Sequence, residues 1–517
     1  MRRFGKGLVA ITLPMQDGSV TVDKDPATFG DRVRSAVFWR SGTQIVAQVI
    51  SWGVTLAVLR ILDPNDYGLF AMSAAVLVFL NFLNGYGFVS ALIQSDNIEE
   101  IRIRQAFGML ILLNAGLALM QVFIVAPLAA AYYREPIVAE MLRWQSLIFL
   151  ATPFLILPEA LMTRNLEFKK PAIINLVSAL AGAGVALYMA LNGYGVWTLV
   201  FAPIALFWTR GIGMVIATRF RYLPSFDFKG AGYIFSFGGT LLIGHGFFIV
   251  QSQSDIFIAG RALDTHTLGL YAEALMITQL FATKFIPPLN EVAFPAYSRI
   301  QHDKAALSSA FLTAVRLIML VAFPLYFGMA ISAGPFVETI MGPKWVESIP
   351  LVSILALAMP FAAMQFLFQP ALNGLGLPGM TMRNNIAGAL IMSITYVFAI
   401  QYGVEGLAWA WLVAFPLLLA FTIYQAKPVV GFTLTGLFQA VLPGLSAAFV
   451  MASAVWLADR YLVLLIWRDM PAPLHLALLT IVGATMYCGL LWFGARQTFM
   501  QVINLVIRRK PPEVLTP

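Results

Sequence analysis

The chain consists largely of apolar runs, each about as long as a helix that crosses a lipid bilayer. Such a helix needs roughly 20 apolar residues, and we count about fourteen such runs in this sequence. They lie near 36–59, 67–94, 106–129, 139–162, 172–191, 195–217, 231–259, 268–297, 307–331, 347–371, 384–400, 405–425, 437–458 and 474–495. Because the bilayer interior cannot satisfy exposed backbone polar groups, these runs predict an all-α polytopic membrane protein with short connections.

Composition supports this interpretation. Of the 517 residues, 60% are hydrophobic and only 11% are charged, whereas soluble domains carry about 25% charged residues. The one cysteine, Cys488, excludes an internal disulfide and most cysteine-based metal sites, and we predict neither a metal nor a cofactor. The net charge of +8 comes without a basic run interleaved with aromatics, so we predict no nucleic-acid partner.

Lysine and arginine are distributed unevenly between the two predicted sides. If the N-terminus lies inside and the spans alternate, the inside segments hold about 22 of these residues and the outside loops about six. This asymmetry satisfies the positive-inside rule and predicts an even number of spans with both termini cytoplasmic. Residues 1–35 are polar and are predicted to form a cytoplasmic tail, not a cleaved signal; residues 496–517 form a second tail.

One ten-residue stretch occurs twice. The first hinge copy, LDPNDYGLFA (62–71), and the second hinge copy, LDTHTLGLYA (263–272), share five of ten residues. They follow spans 1 and 7, both on the predicted outside, which indicates a parallel repeat of six spans. The predicted organisation is an N-lobe (36–218), a cytoplasmic linker (219–230), a C-lobe (231–426) and two further spans (427–495). Two lobes that rock about a central cavity favour a transporter, and Asp63-Pro64-Asn65-Asp66 predicts a turn and helix N-cap.

Polar residues in spans are candidate cavity residues because they are costly in hydrocarbon. Arg40, Gln44 and Gln48 share a stripe on span 1 with Ser51 and Thr55. They could line a cavity in which Arg40 meets a phosphate or acidic sugar. Alternatively, Arg40 extends to the cytoplasmic surface.

Spans 7 and 8 carry two further pairs. Gln251 and Asp255 are four residues apart and share a helical face; Asp255 is a candidate to bind a cation or proton, or to form a structural pair. Lys284 and Glu291 flank Pro287-Pro288, which predicts a kink. They could bind a diphosphate and balance its charge, or form a salt bridge within one lobe.

Three more ionisable residues complete the set. Arg210 in span 6 could bind phosphate or extend to the cytoplasmic surface, and Glu159 in span 4 could line a cavity or neutralise a nearby cation. Glu273, at the outer start of span 8, is expected to be interfacial.

Five short motifs have a characteristic order and spacing: YGLFAMSAA (67–75), RNLEFKKPA (164–172), LGLYAEA (268–274), FPAYSRIQHDKAAL (294–307) and GPKW (342–345). Through them the sequence resembles the polysaccharide transporter, or O-antigen and exopolysaccharide flippase, family of the MOP exporter superfamily. The resemblance covers roughly residues 36–430. It implies a MATE-like fold of two six-helix lobes with two added helices.

The resemblance also implies an activity: moving undecaprenyl-diphosphate-linked oligosaccharide units across the bacterial inner membrane for surface or exopolysaccharide biosynthesis. Membrane lipids and polysaccharide polymerase or export machinery would be its partners, and we expect a monomer. A MATE-like cation or drug antiporter and a lipid II-type flippase remain alternatives. An enzyme is disfavoured, because the first outside loop is short and its Asp63 is duplicated by Asp264.

Overall fold

The structure is a computed structural model that describes residues 46–84, 100–164, 167, 169–228, 232–463, 470–494 and 496. Side chains are described for all of these residues except 232–245 and 462–463. The described residues form helices and connecting turns without a β-strand. The predicted all-α polytopic fold is therefore confirmed, whereas Arg40 and Gln44 lie outside the described residues.

Fourteen helical segments occupy the positions of the predicted spans in the described part of the chain. The first seven are α1 (Val46–Ile61), α2 (Pro64–Phe82), α3 (Glu100–Tyr133), α4 (Pro136–Arg164), α5 (Lys169–Leu191), α6 (Trp197–Thr218) and α7 (Gly232–Ala262). The other seven are α8 (Thr265–Lys284 and Ile286–Arg299), α9 (Lys304–Ile331), α10 (Pro343–Gly374), α11 (Pro378–Ala399), α12 (Gly403–Val430), α13 (Leu434–Tyr461) and α14 (Ala472–Gly494). Among the described residues, ten stretches are long and apolar enough to cross a membrane, and the longest of them contains both α11 and α12.

Proline marks where several helices begin and where one is broken. Pro64, Pro136 and Pro378 each occupy the first residue of a helix, a position where the missing N–H costs nothing. In α8 the helix stops at Lys284 and restarts at Ile286, directly before Pro287 and Pro288. The predicted kink is confirmed, because a proline ring cannot follow an uninterrupted helical turn.

The structure divides into two compact units. Of the described residues, those numbered up to 57, 80–125 and 142–240 form the first unit, and those numbered 58–79, 126–141 and 241 onward form the second. These units are defined by contacts in one conformation, whereas the predicted lobes are defined by the sequence repeat. The lobe boundaries therefore stay a prediction.

In the first unit, α6 packs against both α4 and α5, and α3 packs against α4. Residues 219–228, the described part of the predicted linker, continue from α6 as an extended segment that lies along α3. The Ser225 amide donates to the Arg104 carbonyl (2.9 Å), and the Arg104 guanidinium donates to the Leu223 carbonyl (3.1 Å). Gly108 lies directly beneath this segment, which is therefore fixed to α3.

In the second unit, α9 packs between α10 and α13, and α12 packs against α10 and α11. Phe311, Phe368 and Phe432 form a buried aromatic cluster in this bundle. The Tyr487 hydroxyl of α14 donates to the Leu320 carbonyl of α9 (2.7 Å). The last two helices are thus tied to the bundle through α9.

We predict that Gly108→Ala detaches the linker segment from α3. A Cβ at position 108 would overlap the Ser225 carbonyl, and such overpacking costs about 1–3 kcal/mol. Trypsin should cleave after Arg219 or Arg221 faster in this variant. The control is Gly116→Ala in the same helix, where a Cβ meets open space; equal cleavage rates in the two variants would contradict the packing described.

Candidate functional site

Each hinge copy has an aspartate directly before its helix, and the two aspartates make different hydrogen bonds. Asp63 directly precedes α2, and its amide donates to the Asp66 carboxylate (3.2 Å). Asp264 directly precedes α8 and accepts from the Thr267 amide (3.0 Å) and hydroxyl (2.7 Å). Partial burial favours the neutral acid, but these hydrogen bonds outweigh it and hold the pKa of Asp264 below its ordinary value. The predicted turn at 63–66 is confirmed by the Asp66 amide, which donates to the Asp63 carbonyl (3.0 Å), whereas the side-chain N-cap is seen at Asp264.

Within the second unit the two copies also pack against each other. A Cβ on Gly68 would overlap the Thr265 carbonyl, and a Cβ on Gly269 would overlap the Pro64 carbonyl. Gly68 and Gly269 occupy the same position in the two copies, as do Pro64 and Thr265. The contact is therefore reciprocal, and it requires that neither helix carries a side chain at its glycine.

The GPKW motif at 342–345 contacts the first hinge copy and the end of α1, which precedes it. Lys344 pairs with Asp63 (2.9 Å) and donates to the Ile61 carbonyl (2.8 Å). The fully buried Trp345 donates its indole N–H to the Leu59 carbonyl (3.0 Å) and stacks edge-on against Tyr67. We call this set of contacts, together with the glycine contact and the Asn65–Thr265 hydrogen bond (2.7 Å), the hinge clasp.

Asp255 and Gln251 point into the interior of the second unit. Asp255 is 1% exposed and accepts from the Tyr271 hydroxyl (2.9 Å), which in turn accepts from the Trp411 indole (2.8 Å). The Gln251 amide packs against Gly388 of α11. The predicted shared face exists, and it faces the helices of this unit.

The two charged residues that flank the kink in α8 lie on the surface of the second unit. Lys284 and Glu291 are both exposed, and neither forms an ion pair with another described residue. The helix after the kink is anchored by Asn290, which donates to the Phe366 carbonyl (3.0 Å), and by close packing of Tyr297 against Gly374. The rest of its surface, including Leu289, Val292 and Phe294, is exposed.

Arg210 and Glu159 meet in the first unit. One Nη of Arg210 donates to both carboxylate oxygens of Glu159, at 2.8 and 3.0 Å. The close approach of Gly211 to the Ala151 carbonyl brings α6 near α4 at this level. The two side chains remain 25% and 31% exposed, and the buried Arg210 Nε has no hydrogen-bond partner among the described residues. The guanidinium is therefore paired with Glu159 and still partly open to its surroundings.

Several outcomes differ from the sequence expectations or extend them. Gln48 is half-buried on α1. Glu273 is 6% exposed, because its helix face packs inward beneath the second hinge copy; its expected depth at the membrane interface stays a prediction. The sequence reasoning missed the roles of Gly68, Gly269, Lys344 and Trp345. The recurrence of glycine at the same hinge position was the available signal for two of them.

The described helices form the fold of a multi-pass membrane protein. It superimposes on lipid II flippase MurJ in an inward closed conformation with a TM-score of 0.68, at 13% identity over 90% of this chain and 99% of the other. It also matches an inward-facing MATE family multidrug transporter of the MOP superfamily, with a TM-score of 0.60, at 12% identity over 73% and 94% of the two chains. The predicted MATE-like fold is confirmed.

Residues 57–350 match the family described as "Polysaccharide biosynthesis protein", and the chain belongs to that family. Its relatives include the succinoglycan biosynthesis transport protein ExoT of Rhizobium meliloti (strain 1021). The two are 26% identical over 477 residues, which cover 89% of this chain and 92% of ExoT. The family predicted from the sequence motifs is confirmed.

We predict that Gly68→Ala or Gly269→Ala opens the hinge clasp. The added methyl would overlap a backbone carbonyl, which cannot rotate away, at a cost of about 1–3 kcal/mol. The measurement is the distance between spin labels at Asn65 and Glu338 in a Cys488→Ser background, with the protein in nanodiscs. We expect a longer distance whose population rises about tenfold.

The matched control is Gly334→Ala, because a Cβ at that position has nothing within 4 Å. It should leave the distance distribution unchanged. A short distance retained in both hinge variants would show that the glycine contact does not hold the clasp closed.

Proposed function

We propose that this protein is a flippase that moves undecaprenyl-diphosphate-linked oligosaccharide units across the bacterial inner membrane. The units would feed surface or exopolysaccharide biosynthesis. Membership of the polysaccharide biosynthesis family supports this assignment, as does the succinoglycan transport named for ExoT. The observation that carries it is Arg210, a half-buried guanidinium among membrane helices that pairs with Glu159 and remains 25% exposed.

The chemistry of Arg210 fits a diphosphate. Guanidinium groups bind phosphate oxygens through paired N–H donors, and the Arg210 side chain remains 25% exposed, so that a phosphate can approach it. Glu159 neutralises and orients the guanidinium in the absence of substrate. When a phosphate arrives, its negative charge competes with the carboxylate for the same cation.

The exposed Lys284 is a second candidate for the diphosphate, with Glu291 on the same kinked helix to balance it. Asp255, buried in its tyrosine and tryptophan network, is the candidate for a coupled cation or proton. The membrane potential supplies a further driving force. With the cytoplasm negative, two full charges moving outward release roughly 4–5 kcal/mol at 100 mV.

Transport by alternating access requires one end of the protein to open while the other is closed. The hinge clasp is the candidate closure for the outside end, where the positive-inside rule places both hinge copies. In this proposal the clasp opens to release the oligosaccharide, and both termini lie in the cytoplasm.

The test follows a fluorescent undecaprenyl-diphosphate oligosaccharide from the inner to the outer leaflet of proteoliposomes. We expect transport by the wild type and at least a tenfold lower rate for Arg210→Ala, since a charged hydrogen bond contributes about 1.5–3 kcal/mol. The transport rate of Lys284→Ala is measured under the same conditions, because Lys284 is the second candidate for the diphosphate. The control is Arg143→Ala, which removes an exposed arginine of α4 and should transport at the wild-type rate.

Each contrary result has its own meaning. An unchanged rate in Arg210→Ala would remove that residue from substrate binding and keep the flippase. A wild type that does not transport this lipid, with an imposed potential and proton gradient, would overturn the proposal. Transport of lipid II or of a cationic drug under the same conditions would then support the alternatives.

A further inference from the structure

Glu273 is a buried carboxylic acid. The residue is 6% exposed, and its Oε2 has no hydrogen-bond partner in the part of the chain that the structure describes. Among the described residues no ion pair includes it. A carboxylate in such surroundings loses its hydration without compensation, whereas a neutral carboxyl group pays a much smaller cost.

Its position relates it to the hinge clasp. Glu273 follows Gly269 by four residues, so it lies one helical turn further along the face that carries the glycine contact. In the first hinge copy the equivalent residue, four after Gly68, is Met72, which is 1% exposed. The same place beneath the glycine contact is therefore apolar in one copy and acidic in the other.

The neighbouring groups do not supply a positive charge. From α2, Tyr67 lies within electrostatic range of Glu273, and a tyrosine cannot neutralise a carboxylate. In the turn at 343–348, Lys344 already pairs with Asp63, and Glu347 lies near His266. On α7, Asp255 already accepts a hydrogen bond from Tyr271. Residues 349–374 of α10 contain no ionisable side chain. On α12, Glu405, Tyr424 and Lys427 are exposed.

We propose that Glu273 is a proton-binding residue whose carboxyl group must be neutral for the hinge clasp to close. Closing then buries the acid and takes up a proton, and opening lets water reach the carboxyl group and allows the proton to leave. A metal ion would need several oxygen ligands, whereas a proton needs one carboxyl oxygen. This inference rests on the opening and closing motion in the proposed function.

The sign of the pH dependence follows. Because the closed state binds the proton more tightly than the open state, lowering the pH favours closure by linkage. Raising the pH removes the proton and shifts the population towards the open state. A single group changes the ratio of closed to open by at most tenfold per pH unit.

The test uses the Asn65–Glu338 spin-label distance in nanodiscs without any lipid-linked sugar, over a pH series. In the Cys488→Ser protein we expect the longer-distance population to grow as the pH rises. Glu273→Gln keeps the shape with a permanently neutral group, and Glu273→Met installs the residue of the first hinge copy. Both should stay at the short distance at every pH.

The control is Glu405→Gln, which removes an exposed carboxylate on α12 and should keep the wild-type pH dependence. A distance that does not change with pH in the parent protein overturns the inference. So does a pH dependence that survives in both Glu273 variants. Because the distance needs no substrate, a failure of lipid transport with an intact pH response would contradict only the proposed function.

Discussion

Two helices can cross at backbone distance only where neither carries a side chain, and this condition is met at Gly68 and Gly269. The reciprocal arrangement, in which each glycine faces the carbonyl of Pro64 or Thr265 in the other copy, follows from the sequence repeat. One further clasp contact depends on it, because Asn65 reaches Thr265 only where the helices meet this closely. Tyr67 packs against Trp345 of the neighbouring turn and adds to the same cluster.

The clasp combines weak, exposed polar contacts with a small buried contact. The Lys344–Asp63 pair has exposed side chains and contributes little by itself, since surface ion pairs are worth about 0–1 kcal/mol. The buried Trp345 and the glycine contact contribute more through packing. Such a surface can separate at modest cost, which suits a closure that opens repeatedly. The Arg210–Glu159 pair differs, because both groups lie among apolar helices and separating them without a replacement partner is costly.

Much of the fold could be predicted from the sequence. Runs of about 20 apolar residues located the helices, Pro287-Pro288 located the break in α8, and Asp63 and Asp264 located two helix starts. Side-chain direction could not be predicted as well. The burial of Glu273 is an example. Its place at the outer start of α8 indicated the membrane interface, but the sequence does not show that this face of the helix packs inward. For Gln251 and Asp255 the common face was predictable, whereas the Tyr271, Trp411 and Gly388 contacts bring together residues up to 140 positions apart.

The central claim is that the protein moves a lipid-linked oligosaccharide by opening and closing the hinge clasp. The most direct test locks the clasp with a disulfide between Asn65→Cys and Thr265→Cys in the Cys488→Ser background, at two side chains whose oxygens lie 2.7 Å apart. Transport is then measured in proteoliposomes before and after reduction. The account predicts that transport stops when the disulfide forms and returns when it is reduced. Undiminished transport by the fully cross-linked protein would contradict it.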